Sequence, residues 1–291
     1  MRTPARKAWL LTSLLLPLSV LASAVGLFVP DFYRERILTP AMRGQDLVTF
    51  VASFVLVAML PHLRRPSTRA RIVWIGLLGY LLYTYVGAAF AYRFNALFLV
   101  YVALFALAVF ALGAVALGID ISRVELSFDA TTPRAPAIAV LVGIVVVLAV
   151  SELGPVVAAI AADTLPPLIE RSQGAGNFVY ALDLGLVMPL AVLGVVLMRR
   201  GKGWGFVLAG ALLIKAVTIG MALLAASVFS VTSGQELERG LTVAYVVLTL
   251  GAAAASLSFF RHCKSWEFIM LVALDAQSSG PHPIARRTAP H

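Results

Sequence analysis

Residues 177–229 read NFVYALDLGLVMPLAVLGVVLMRRGKGWGFVLAGALLIKAVTIGMALLAASVF. This is two apolar runs joined by the basic turn Arg199-Arg200-Gly201-Lys202. A helix rises ~1.5 Å per residue, so a run of roughly 20 apolar residues matches a hydrocarbon layer ~30 Å thick. Each run is therefore read as a membrane-crossing helix. Each also carries a group that oil does not tolerate without a reason: Asp183 in the first and Lys215 near the middle of the second. An ionised side chain at that depth costs ~2.5 kcal/mol or more, so it faces the bundle interior, finds a partner and marks a pathway or site.

The rest of the chain has the same character. Hydrophobic residues make up 60% of the 291 positions, charged residues 13%, and the mean hydropathy is +0.93. Soluble domains carry about 25% charged residues, so this composition excludes them. Strands of an outer-membrane barrel would alternate with period two over roughly 10 residues, and no stretch does so. Apolar runs at about 8–29, 46–62, 72–92, 97–118, 136–153, 178–198, 205–229 and 241–260 predict an all-α, polytopic transmembrane bundle of about eight helices. The membrane domain is expected to cover 1–265, and the Pro- and Ser-containing 266–291 to form a disordered cytoplasmic tail. The apolar stretch Glu267–Leu274 is too short to span.

The net charge of +9 does not signal nucleic acid, because the basic residues sit in short loops between apolar runs. They set topology instead. Arg2, Arg6, Lys7, Arg64, Arg65, Arg69, Arg71, Arg123, Arg134, Arg199, Arg200, Lys202, Arg261 and Lys264 fall on the N-terminal side, against Arg34, Arg36, Arg43, Arg93, Arg171 and Arg239 opposite. By the positive-inside rule both termini are expected in the cytoplasm. The first run resembles a signal peptide around Ala22-Ser23-Ala24, but it continues through Val29, long enough to be retained as a helix. A single cysteine, Cys263, excludes an internal disulfide and any CxxC motif.

The halves share a layout of helix, long connection, helix, basic loop, helix, turn, helix. Gly44-Gln45-Asp46-Leu47-Val48 parallels Gly176-Asn177-Phe178-Val179, and Gly79-Tyr80-Leu81-Leu82-Tyr83-Thr84 parallels Gly210-Ala211-Leu212-Leu213-Ile214-Lys215. This suggests a 4+4 tandem repeat over 8–118 and 136–262. Transporters place sites between such parallel repeats, although any two Leu- and Ala-rich helix pairs also align this well.

Asp46 is read as a first-turn carboxylate that complements a helix dipole. With Asn95, Glu152, Asn177, Tyr180 and Asp183 it would line a vestibule at one end of the bundle. Tyr83 is too deep for an aromatic belt and needs a hydrogen-bond partner. Counted from that end, Asp183 lies ~8 Å down and Lys215 ~20 Å down, so a direct ion pair is not assumed. Tyr83, Thr218 or the Gly185 carbonyl freed by Pro189 would then partner Lys215. Two readings stay open, a polar contact that fixes helix register and a binding site for a small solute or ion.

No phosphate loop, metalloprotease helix, nucleophile elbow or acidic metal cluster is present, so no cofactor, metal or catalytic set is expected. The stretch Tyr83–Tyr101, with Phe94-Asn95-Ala96-Leu97-Phe98, together with Asn177-Phe178-Val179-Tyr180 and Asp183, resembles a group of uncharacterised prokaryotic multi-pass membrane proteins. That resemblance implies a cytoplasmic (inner) membrane location and no particular activity. The expected role is transporter-like or solute-binding. The alternative is a membrane scaffold or homo-oligomer that uses Gly79, Gly87, Gly210 and Gly220 for close helix contacts.

Overall fold

A computed structural model describes residues 3–33, 38–61, 63, 67–128, 132–237 and 239–264. His62, Arg64, Arg65, the 267–274 stretch and the tail lie outside these. The described residues are helices and their connections, with no strand among them. Eight helices are long and apolar enough to cross a membrane, which makes this an integral, multi-pass membrane protein.

The spans are α1 (Thr3–Phe28), α2 (Thr39–Met59), α3 (Thr68–Phe90), α4 (Phe98–Gly118), a fifth made of α6 (Ala135–Leu148) and α7 (Gly154–Ala162), a sixth made of α9 (Asn177–Leu182) and α10 (Met188–Arg199), α11 (Gly203–Thr232) and α12 (Arg239–Arg261). Two short helices lie in connections, α5 (Ile121–Ser127) and α8 (Pro167–Arg171). The 119–135 connection is thus not a plain loop: Asp120 caps α5 by accepting the Arg123 backbone N–H at 3.3 Å.

Both composite spans are interrupted in the same way. A π-helical turn occupies Ala149–Leu153 in the fifth and Asp183–Val187 in the sixth. Each is followed by one residue and then a proline, Gly154-Pro155 and Met188-Pro189. In a regular α-helix a proline ring collides with the carbonyl four residues earlier, here that of Ser151 or Gly185. The wider i→i+5 closure, Gly154 N–H to Ala149 O and Met188 N–H to Asp183 O, moves that carbonyl aside. The fifth span therefore runs on to Ala162, correcting the sequence expectation that it stops near Leu153.

The long helices form two groups. In the first, α1 packs on α2 and α4, and α3 on α4 and α2; in the second, α6 packs on α10 and α12, and α11 on α10 and α12. The groups meet where α11 lies along α2 and α3, and where α9 touches α3. Gly44 is what lets α2 and α11 approach, since a Cβ there would strike the backbone of Ala222 and Ala226. Gly210 and Gly220 likewise face Ile72 and Thr249, and Gly87 faces the Phe178 ring, so these glycines serve contacts within the chain. Gly79 has open space beside it.

At the basic end, side chains close the helix C-termini. Arg71 donates to Gly118 O (3.1 Å), Arg134 to Met198 O (3.2 Å), Arg69 to Cys263 O (2.9 Å), and the Trp9 indole to Leu60 O (3.1 Å). These carbonyls lie at or just past helix C-termini, that of Met198 also accepting the Gly201 N–H at 3.1 Å, and the guanidiniums complement the negative end of each helix dipole. Glu125 does the converse for α11, accepting the Gly203 N–H at 2.8 Å. Beneath them Phe128 stacks on Phe206 at 4.7 Å.

Candidate functional site

The first group of helices contains many buried hydroxyls, several of which satisfy one another, while those of Thr84 and Tyr101 have no hydrogen-bond partner. Ser53 donates to Thr49 O, so it accepts from Ser19, which in turn accepts from Tyr85, at 2.8 Å each. Tyr80 donates to Gln45 O at 3.1 Å, so Thr49 donates to Tyr80 at 3.1 Å. Because each chain terminates on a backbone carbonyl, every proton has one place to be. The network laces α1, α2 and α3 together and is structural.

The contact between the groups differs. On the π turn of the sixth span, Asp183 is 8% exposed. Its Oδ2 accepts the Tyr83 hydroxyl at 3.0 Å. Its Oδ1 lies 3.9 Å from Lys215 Nζ and accepts no hydrogen bond. The Lys215 ammonium also sits over the Tyr83 ring, 3.9 Å from its centroid. Glu152, on the other π turn, adjoins Asp183 and feels Lys215. Its Oε2 is buried without a hydrogen bond. Phe178 closes one side, its ring 6.2 Å from that of Tyr83.

The ion pair corrects the sequence-based depth estimate. α11 has 30 residues, ~45 Å against a ~30 Å hydrocarbon layer, so counting from its overhanging end places Lys215 too deep. Counted from the tight Arg200–Lys202 turn, Lys215 lies ~18 Å and Asp183 ~24 Å from the basic end. The four-carbon lysine stem covers the difference. Thr218 is no partner of the ammonium; its hydroxyl donates back to Ile214 O and Lys215 O.

No family model, curated protein or solved structure matches this chain. The site is therefore interpreted from its own geometry, which brings together Tyr83, Glu152, Asp183 and Lys215 among the residues singled out in the sequence.

The other candidates lie elsewhere. Tyr180 is buried on α9, one turn before Asp183. Asn177 is exposed at the start of that helix. Asn95 shapes the turn between α3 and α4, bonding Arg93 O and the Leu97 N–H at 3.1 and 2.9 Å. Asp46 is not in a first turn: Pro40 sits near the start of α2, and Asp46 follows two turns on, accepting the Tyr33 hydroxyl at 2.6 Å. Beside that pair a cavity of about 530 Å³ is lined by Asp31, Tyr33, Met42, Tyr92, Arg93 and Asn95. The sequence-predicted vestibule is thus two separate places. Among the described residues no group of His, Cys, Asp and Glu could hold a metal ion.

The sequence reading missed the π turns that carry both carboxylates. Their signal was local, an acidic residue three or six positions before a proline inside an apolar run.

Proposed function

We propose that this protein is a transporter-like or solute-binding membrane protein, and that Tyr83, Glu152, Asp183 and Lys215 form its polar intramembrane site. One observation carries the reading. Two carboxylates and one ammonium meet between the spans, Asp183 and Glu152 within hydrogen-bonding reach of each other, and neither Asp183 Oδ1 nor Glu152 Oε2 has an N–H or hydroxyl donor. A contact built only to fix helix packing gains by satisfying its groups, as the Ser19–Tyr85 network does, because an unmet buried acceptor costs ~1–3 kcal/mol or more when charged. Unused acceptors beside a buried cation are what a site for a transient guest needs.

Two further features support the reading. The cluster lies where α3 and α11 meet the fifth and sixth spans, and if the chain is a parallel 4+4 repeat this is a boundary between its halves. Both carboxylates stand on π turns, which are frequent at functional positions. We place both termini in the cytoplasm on the strength of the basic loops, and the chain in a prokaryotic cytoplasmic membrane on the resemblance given above.

The test is uptake by proteoliposomes above that of protein-free liposomes, read as accumulated solute and as change of internal pH, with a panel of inorganic cations, lipophilic cations, amines, amino acids and sugars. Wild type should take up at least one solute, and Asp183→Asn should abolish that uptake while purifying as a folded species. If Asp183→Asn and Lys215→Met change only assembly and wild type takes up no solute, the protein is a scaffold.

A further inference from the structure

We infer that the guest is a lipophilic monovalent cation, which reaches the cluster from within the bilayer beside Glu152 and exchanges there with a proton. This rests on the site reading above and adds the chemical class of the ligand and its route.

The charge balance selects the class. The titratable groups facing Asp183 are Tyr83 from α3, Glu152 from the fifth span and Lys215 from α11. With both carboxylates and the lysine ionised the cluster carries −1, and an uncompensated charge in this medium costs several kcal/mol. One proton or one monovalent cation brings it to zero, whereas a divalent cation overshoots and an anion makes it worse. Proton and cation neutralise the same charge, so each excludes the other. On exchange the cation enters, one proton leaves a carboxyl oxygen, and the charge of the site stays at zero.

The lining selects within that class. The Tyr83 ring already holds an ammonium over its face, with Phe178 beside it and carboxylates at the edge. Aromatic faces next to carboxylates suit alkylated or arylated cations, which arrive with little hydration to lose.

The packing selects the route. α10 lies along α11 toward the basic end, but beyond Asp183 the chain leans onto α3, and α9 has no extensive contact with α11. α7 has no extensive packing against any other helix. Glu152 is half-buried, and Val150, Ser151 and Leu153 around it are exposed. Further along α7 the exposed side chains are Val157 and Ile160. A hydrated inorganic ion gains nothing along such a wall, while a lipophilic cation is dissolved in the adjoining layer already.

The experiment is equilibrium binding of tetraphenylphosphonium and of tetramethylammonium to the purified full chain in nanodiscs, with uptake by empty nanodiscs subtracted. Tetraphenylphosphonium should bind at least about tenfold more tightly. Its Kd should rise by up to about tenfold per unit fall in pH, with about one proton released per cation in weak buffer. Glu152→Gln and Asp183→Asn should each lose this binding, the former with unchanged thermal unfolding. Equal affinity for the two cations, binding indifferent to both substitutions, or binding without proton release would overturn the inference. Asp183-dependent uptake of an anion, a sugar or an inorganic ion would also overturn it, while leaving the site reading intact.

Discussion

Lys215 and Asp183 meet at 3.9 Å, close enough to attract strongly in a medium of low dielectric yet too far for a hydrogen bond. The pair is held apart by its other contacts. Tyr83 binds the far oxygen of the carboxylate, and its ring supports the ammonium.

Removing one partner strands the other, so Lys215→Met should destabilise the folded protein by about 3–5 kcal/mol. Asp183→Asn combined with Lys215→Met should recover part of that loss, because the buried Asp183 charge is then gone and only the half-buried Glu152 is left without a cation. Thermal unfolding of the single and double variants in one detergent checks this, and a double variant no more stable than Lys215→Met would contradict it.

Tyr83 contributes in two separable ways. Tyr83→Phe keeps the ring beneath the ammonium but removes the donor to Asp183 Oδ2, which should cost about 1.5–3 kcal/mol. Tyr83→Leu removes the ring as well and should cost up to about 2 kcal/mol more. The same unfolding measurement resolves the two steps.

Pro189 should be worth more to function than to stability. Replacing it with Ala supplies the missing N–H and removes the ring that a regular turn cannot accommodate, which favours an α-helix by up to about 3 kcal/mol. A regular turn would drop one residue from the register and swing Asp183 by about 100° relative to α10. Pro189→Ala should therefore lose the Asp183-dependent uptake without unfolding at a higher temperature, because the gain of up to about 3 kcal/mol in the helix is offset by a loss of about 3–5 kcal/mol when Asp183 leaves Lys215. Hydrogen exchange across 183–188 should slow in parallel.

Cys263 sits just past α12, where burial pushes its thiol from 9.0 up to about 11, with Arg69 pulling the other way. The folded chain thus holds the proton more tightly than the unfolded chain. The stabilisation is complete below pH 9 and is lost between pH 9 and 11, amounting to about 3 kcal/mol at most. Cys263→Ala should show a shallower fall in unfolding temperature across that interval than wild type. Maleimide labelling of folded wild type should stay slow at pH 8 and accelerate toward pH 11.

Much of this architecture is legible in the residues alone. Spans of uninterrupted Leu, Val and Ala announce themselves by length, and Asp183, Lys215, Tyr83 and Glu152 stand out as groups that oil rejects. Position along the normal was harder. Pro155 reads as a stop signal because prolines usually are, and only a widened turn, invisible in hydropathy, lets the helix run on. Lys215 was placed too deep because a helix longer than the hydrocarbon layer gives no sign of which end overhangs. Asp46 reads as a helix opener, whereas Pro40 opens α2 and Tyr33 returns from the α1–α2 connection to claim the carboxylate. Such partners arrive from distant segments, and local pattern does not encode them.

The guanidinium clasps on Gly118, Met198 and Cys263 have one last implication. Positive charges near span ends tell the insertion machinery which way a chain should thread, and for that purpose lysine serves as well as arginine. Here the same charges latch the helix ends after threading, a task that depends on the planar fork of arginine. Arg69, Arg71 and Arg134 thus serve the assembled bundle as rivets, and under the proposed orientation the same three would have served as signposts during biosynthesis.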